Sequence, residues 1–182
     1  MKLSEYRRLL ESLEDIERVF GDDFEDFMLN LGAYIDYNDK ASADALLRYY
    51  PKLQRAGLIE KPKEVYRLVK LERYTDYKIQ AQQITSAATN RFSPSFLKDM
   101  KAMVDQYQKH GTHYCLIIQN AKGLNINKLY KLFKGKKRYL TNKYDKPGNM
   151  VMSVMYDAFE DKKYQKEFII FGDYKIAEFL PV

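Results

Sequence analysis

The sequence carries a single cysteine, Cys115, so no disulfide can close within the chain and the implied compartment is a reducing one. No stretch approaches the roughly 20 consecutive apolar residues that a membrane helix needs. Met1-Lys2-Leu3-Ser4-Glu5 turns polar at once and lacks the apolar segment of a signal peptide. The expected location is therefore cytoplasmic. There is no Gly-x-Ser-x-Gly elbow of the kind that presents a hydrolase serine. A Gly-rich phosphate loop, internal repeats and low-complexity tracts are also missing. Histidine occurs only at His110 and His113. With Cys115 these make three possible metal ligands, but structural zinc sites usually take four, and the two histidines flank Gly111. No metal is expected.

What is present suffices for a folded domain. The chain has 182 residues, 46% of them hydrophobic, enough for one domain of ordinary size with a small helical extension. Net charge is +6, unevenly spread: residues 1–60 carry −5 and residues 61–182 carry +11. Such a shift marks two segments with different jobs, and the basic one should attract anions.

Apolar spacing divides the chain in the same place. Ser4 can cap a helix with Leu9, Leu13, Ile16 and Phe20 inward and Gly21 as its stop. Asp22 or Asp23 can cap a second, facing the core with Phe24, Phe27, Met28 and Leu31. Ser42 can start a third, which Pro51 should kink or end. Lys61-Pro62-Lys63 reads as a connector. Beyond it strands dominate: Glu64 to Val69, Gln83 to Ser86, Tyr114 to Ile118, Met150 to Tyr156, Phe168 to Phe171 and Tyr174 to Leu180. Ser93-Pro94 opens a helix with Phe96, Met100, Met103 and Tyr107 inward, ended by Gly111, and residues 124–135 form another. Helices followed mostly by strands give an α+β class. The expected organisation is a helical region over 1–60 and a catalytic domain over 61–182.

Three pieces in the second part stand in a telling order. Arg67 lies in Val65-Tyr66-Arg67-Leu68. Ser86 lies in Ile84-Thr85-Ser86-Ala87-Ala88. Gln165-Lys166-Glu167 runs directly into Phe168-Ile169-Ile170-Phe171-Gly172. Between them, Leu116-Ile117-Ile118-Gln119-Asn120 leads into Ala121-Lys122-Gly123. An arginine offers a permanently charged fork suited to a diphosphate, and a fixed carboxylate can stabilise a developing cation. Gln165 and Glu167, two apart on an extended strand, point to one face.

This order resembles the R-S-E class of ADP-ribosyltransferases, which includes clostridial Rho-modifying exoenzymes and phage-encoded transferases. In that family an Arg sits on the first core strand, a Ser-Thr-Ser motif on the second and a Glu-x-Glu or Gln-x-Glu motif at the start of the fifth. The resemblance covers about residues 62–180, including the Ala121-Lys122-Gly123 turn after the third strand. It implies a mixed β-sandwich core and NAD⁺ as co-substrate. Glu167 would stabilise the oxocarbenium-like ribose and Ser86 would hold Glu167. Arg67 would bind NAD⁺ together with Tyr66, Leu68, Ser86 and Phe92, and Gln165 and Tyr164 would face the acceptor. Two positions depart from the family pattern: Ala88 stands where Ser is usual, and Leu68 follows the Arg where many members have Gly.

The Gln-x-Glu form implies an acceptor other than arginine. Residues 122–146 hold eight lysines and Arg138 against one acid, Asp145, with Tyr130, Phe133, Tyr139 and Tyr144 interleaved. Basic and aromatic residues together can grip a phosphate chain and stack bases. Nucleic acid, or a protein bound to it, is therefore the favoured acceptor, with Lys136, Lys137 and Arg138 among its contacts. A toxin or a phage effector would fit this chemistry. The alternative is a module that keeps the fold, has lost turnover and only binds nucleic acid.

Overall fold

The computed structural model describes residues 13–79, 83–162 and 167–182. Ser4, Leu9, Tyr164 and Gln165 lie outside the described residues. In chain order the elements are α1 (Leu13–Phe20), α2 (Phe24–Tyr37), α3 (Lys40–Arg48), α4 (Tyr50–Arg55), β1 (Ile59–Glu60), β2 (Val65–Leu71) and β3 (Ile84–Ala88). There follow α5 (Pro94–Tyr107), β4 (Thr112–Gln119), β5 (Gly123–Asn125), α6 (Ile126–Phe133), α7 (Lys137–Tyr144), α8 (Val151–Lys162), β6 (Glu167–Phe171) and β7 (Lys175–Pro181). The class is α+β. Among the described residues, no helix is long and apolar enough to cross a membrane.

The chain divides into two compact units, each assembled from two stretches of sequence. One joins Met1–Glu60 to Leu124–Gln165, and the other joins Lys61–Gly123 to Lys166–Val182. The connector Lys61-Pro62-Lys63 begins the second unit.

The first unit is helical. Leu13, Ile16 and Phe20 of α1 are fully buried with Phe24, Phe27, Met28 and Leu31 of α2. Phe20 stacks on Phe27 with ring centroids 4.3 Å apart. Each such side chain contributes about 1.5–3 kcal/mol on burial. Gly21, at φ 58°, turns the chain out of α1 into a single 3-10 turn, Gly21–Asp23. The third helix begins earlier than its serine suggests. Asp39 is the cap, its carboxylate accepting from the Ser42 backbone N–H at 2.7 Å, so Ser42 receives the cap and does not provide it. Pro51 ends α3 and restarts the chain as α4, where a proline in the first turn needs no N–H partner.

Residues 150–156 are helical, not extended. Val151, Met152, Met155 and Tyr156 are the buried positions. Their spacing of one, three and one is helical, whereas a strand would bury alternate residues. Asp145 fixes the helix start: its carboxylate accepts from the backbone N–H of Met152 at 2.7 Å and of Ser153 at 3.1 Å, and from the Ser153 hydroxyl at 2.6 Å. Gly32 of α2 lies against Met155, where an added Cβ would meet side chain and backbone at 3.4 Å. A further helix, α7, occupies the middle of the lysine-rich stretch.

The second unit is a sheet with strand order β6-β3-β2-β4-β7 and antiparallel pairing throughout those five strands. One face packs Val65, Ala87, Leu116, Ile118, Ala121, Phe168 and Ile170 together. On the helix α5, Ser93 caps the start by accepting from the Phe96 N–H at 3.3 Å. The inward face differs from the expected one. Phe96, Leu97, Met100 and Val104 are half-buried, while Met103 and Tyr107 are exposed, at 46% and 87%. The helix ends at Tyr107, and Gly111, at φ 110°, serves the tight turn into β4.

Candidate functional site

Arg67 is the third residue of β2, Ser86 the third of β3 and Glu167 the first of β6. They are far apart in sequence, and the second unit brings them together. Ser86 Oγ donates to Glu167 Oε1 at 3.2 Å, and Arg67 Nη1 donates to the Ser86 carbonyl at 2.5 Å. All three side chains are half-buried.

Register explains how Arg67 reaches Ser86. β3 and β6 pair along their whole length, with Ser86 opposite Ile169 and Ala88 opposite Glu167. Ser86 and Glu167 therefore share a face, opposite to that of Ala87 and Phe168. β2 and β3, by contrast, meet at one register position, Tyr66 opposite Ala88. Continued, that register would set Leu68 opposite Ser86. The strands part instead, and the Arg67 guanidinium spans the opening. By strand alternation Arg67 starts on the side of Val65 and Val69, so it reaches the Ser86 backbone across the split rather than over the shared face. Arg67 Nε is buried and without a hydrogen-bond partner. A buried donor left unmade costs on the order of 1–3 kcal/mol.

Tyr66 and Leu68 are buried, at 8% and 7% exposure. The Tyr66 hydroxyl donates to Glu64 at 3.0 Å, Gln119 donates to the other Glu64 oxygen at 3.3 Å, and the Arg91 guanidinium lies 5.8 Å from the centre of the Tyr66 ring. The hydrogen bond from Tyr66 and then that from Gln119 hold the Glu64 carboxyl below its ordinary range. Tyr66 is thus engaged with protein groups on its ring and at its tip. Phe92 packs against Phe96 at 5.5 Å and is half-buried. Glu64 and Gln119 were not singled out by sequence reasoning. The signal was available, since Glu64 stands two residues before Tyr66 on a strand and so shares its face.

Two other titratable side chains of this unit, Lys70 and His113, share one carboxylate. Lys70, although buried, donates to Asp105 at 2.6 Å and to the Lys109 carbonyl at 3.1 Å. His113 Nε2 lies 2.9 Å from the same carboxylate. The bond from Lys70 is the main cause that lowers the Asp105 pKa. Burial pushes the Cys115 thiol up, which leaves it protonated near neutrality. Among the described residues no three His, Cys, Asp or Glu side chains are grouped to hold a metal ion.

Lys136, Lys137 and Arg138 belong to the first unit. Lys136 pairs with Glu14 at 3.0 Å, Lys137 with Asp157 at 2.7 Å, Lys128 with Glu60 at 2.8 Å and Lys143 with Glu17 at 2.8 Å. Much of the basic stretch therefore faces the acidic helices of its own unit. Arg138 is exposed on the wall of an open cleft with Thr141, Asn142 and Met150. Exposed ion pairs are worth little and exchange readily, so Lys136 and Lys137 can still be drawn to another anion. Comparison with known protein families, with characterised proteins and with solved structures gives no match to the chain.

Proposed function

We propose that the chain is an NAD⁺-dependent mono-ADP-ribosyltransferase of the R-S-E type, acting on a macromolecular acceptor. The observation that carries this reading is the hydrogen bond from Ser86 to Glu167, with Arg67 tied to the same serine. The order of strands supports it further. Counted along the chain from β2, with the short β5 as the fourth strand, Arg67 lies on the first strand, Ser86 on the second, and Glu167 opens the fifth. An ADP-ribosyltransferase-like core is the fold that goes with this reading.

The chemistry follows from the residue types. Breaking the bond between the nicotinamide nitrogen and ribose C1′ sends the bonding electron pair to nicotinamide and leaves a cationic sugar. A carboxylate fixed beside it stabilises charge as it develops, an electrostatic contribution worth about 10²–10³ in rate for one well-placed group. Glu167 takes that role, and Ser86 restrains its rotation. Arg67, with its buried Nε, receives the NAD⁺ diphosphate. An acceptor atom then bonds to C1′ and gives up its proton. Gln165 precedes Glu167 by two and would face that acceptor, whose class is non-arginine and, on the lysine-rich composition, nucleic acid or a protein carrying it.

A second reading rests on Ala88. It stands opposite Glu167 and is buried, with no hydroxyl to offer. A module that kept the fold but lost turnover would bind nucleic acid without consuming NAD⁺. Both readings meet one experiment. Nicotinamide release from NAD⁺ is measured for the wild type and for Glu167→Gln, which keeps an acceptor for Ser86 and removes the charge. Transferase function requires release by the wild type, with and without cell extract, and a fall of about 10²–10³ in the variant. Equal rates in a folded variant overturn the role of Glu167, and no release by the wild type selects the binding module.

A further inference from the structure

The lysines best placed to hold a phosphate chain are outside the lysine-rich helices. Within the sheet unit, Lys61, Lys63 and Lys122 converge on an open cleft of 450 Å³, floored by Pro62, Asn120 and Ala121. All three lysines are exposed. Their backbones are fixed where their side chains are free. Ala121 is buried in the sheet core, at 2% exposure. Asn120 adopts a left-handed φ of 58°. Gly123 lies so close to β6 that an added Cβ would fall 2.1 Å from the Ile169 carbonyl oxygen. The Phe171 N–H donates to the Lys122 carbonyl at 2.9 Å. Lys122 thus projects from a clamped turn, and Pro62 restricts the chain between Lys61 and Lys63. The one acid beside them, Glu64, is occupied by Tyr66 and Gln119, and the four groups together remain net positive.

We propose that this cleft is the docking site for the phosphate backbone of a nucleic acid. It names the acceptor of the transferase reading and rests on that reading for its purpose, though the binding is separable from it. The cleft presents flexible point charges around an open floor. That arrangement neutralises successive phosphates and does not enclose a single small ligand, which would require a deeper, more apolar pocket. It also accounts for basic residues that the paired lysines of the helical unit leave unaccounted for.

The test uses the full chain without NAD⁺. A labelled 12-nucleotide single-stranded RNA is titrated at several salt concentrations by fluorescence anisotropy. Three proteins are compared: wild type, Lys61→Ala/Lys63→Ala/Lys122→Ala, and Lys136→Ala/Lys137→Ala/Arg138→Ala. Since each single-strand phosphate contact contributes roughly 0.7 to the slope of log affinity against log salt, the cleft variant should lose about 2 units of slope. The helical variant should stay near the wild type. A cleft variant with the wild-type slope overturns the proposal, as does wild-type protein that fails to bind RNA at low salt. Equal binding of a poly-glutamate peptide of matched charge would point to an acidic protein and overturn it. Pyrophosphate competing as well as RNA, phosphate for phosphate, would reduce the cleft to a small-anion site and overturn it too. Because no NAD⁺ is present, failure here leaves the Glu167 experiment untouched, and failure there leaves this one standing.

Discussion

Two residues in the sheet unit do work that their neighbours cannot replace. Arg67 bridges the split between β2 and β3 and keeps a buried Nε available. Lysine at this position would keep the charge but supply a point donor on a different stem, with no planar fork to span the split and meet a diphosphate together. Arg67→Lys should weaken NAD⁺ binding about 10- to 100-fold by calorimetric titration, the equivalent of losing one charged hydrogen bond of roughly 1.5–3 kcal/mol. Unchanged affinity would make Arg67 a structural strap. Gly123 answers to sterics alone. A methyl there would sit 2.1 Å from the Ile169 oxygen and 2.6 Å from a Phe168 ring carbon, so β6 must shift to admit it. Gly123→Ala should cost roughly 1–3 kcal/mol, the usual range for overpacking, read as a lower urea midpoint with an unchanged slope. A variant as stable as the wild type would show that β6 is not clamped by this turn.

At the scale of elements, the local patterns that could be read were those with one dominant signal. Val65 to Val69, Tyr114 to Ile118 and Phe168 to Phe171 carry β-branched and aromatic runs, and each is a strand. Ser93-Pro94 announced α5 by its cap. Met150 to Tyr156 misled because methionine and valine fit either state, and the deciding residue, Asp145, lies several positions upstream. Its carboxylate takes two backbone N–H groups and a hydroxyl at the start of α8, so the helix is set by a cap that periodicity does not report. Asp145→Ala should therefore cost about 1–2 kcal/mol, at the upper side of the usual cap range, and a thermal melt followed by circular dichroism would register it. A loss below a few tenths would mean that burial of Met152 and Met155 suffices to hold α8. The inner face of α5 is ambiguous in the sequence for a related reason. The spacing of Phe96, Met100, Met103 and Tyr107 and that of Phe96, Leu97, Met100 and Val104 are both helical, and only the position of the sheet selects between them.

At the scale of the molecule, the charge asymmetry was legible but its bearing was not. The sequence divides at residue 60 by charge, yet residues 124–165 fold with the acidic helices, and the first unit carries a net charge of only +1 against +5 for the second. Linear charge counts cannot reveal this, because the pairs that decide it join residues more than 100 positions apart. Glu17 is the clearest of these. It accepts from Lys143 at 2.8 Å, from Tyr139 at 3.0 Å and from Tyr144. Burial alone would raise its carboxyl, but the hydrogen bonds of Lys143, Tyr144 and Tyr139 outweigh it and hold the pKa below the ordinary 4.5. A carboxyl with a lowered folded-state pKa releases its proton more readily when folded than when unfolded. Its contribution is therefore complete above about 4.5 and drains away as the pH falls through the folded-state value. Glu17→Gln keeps the shape and an acceptor oxygen while removing the charge. Urea midpoints measured from pH 7 down to pH 3 should show the wild type more stable at neutrality, with the gap constant down to about 4.5 and closing below it. A gap that widens on acidification would reverse the sign of the linkage. A gap that stays constant to pH 3 would mean that Glu17 holds α1 to α7 through shape and hydrogen bonding, with its charge immaterial.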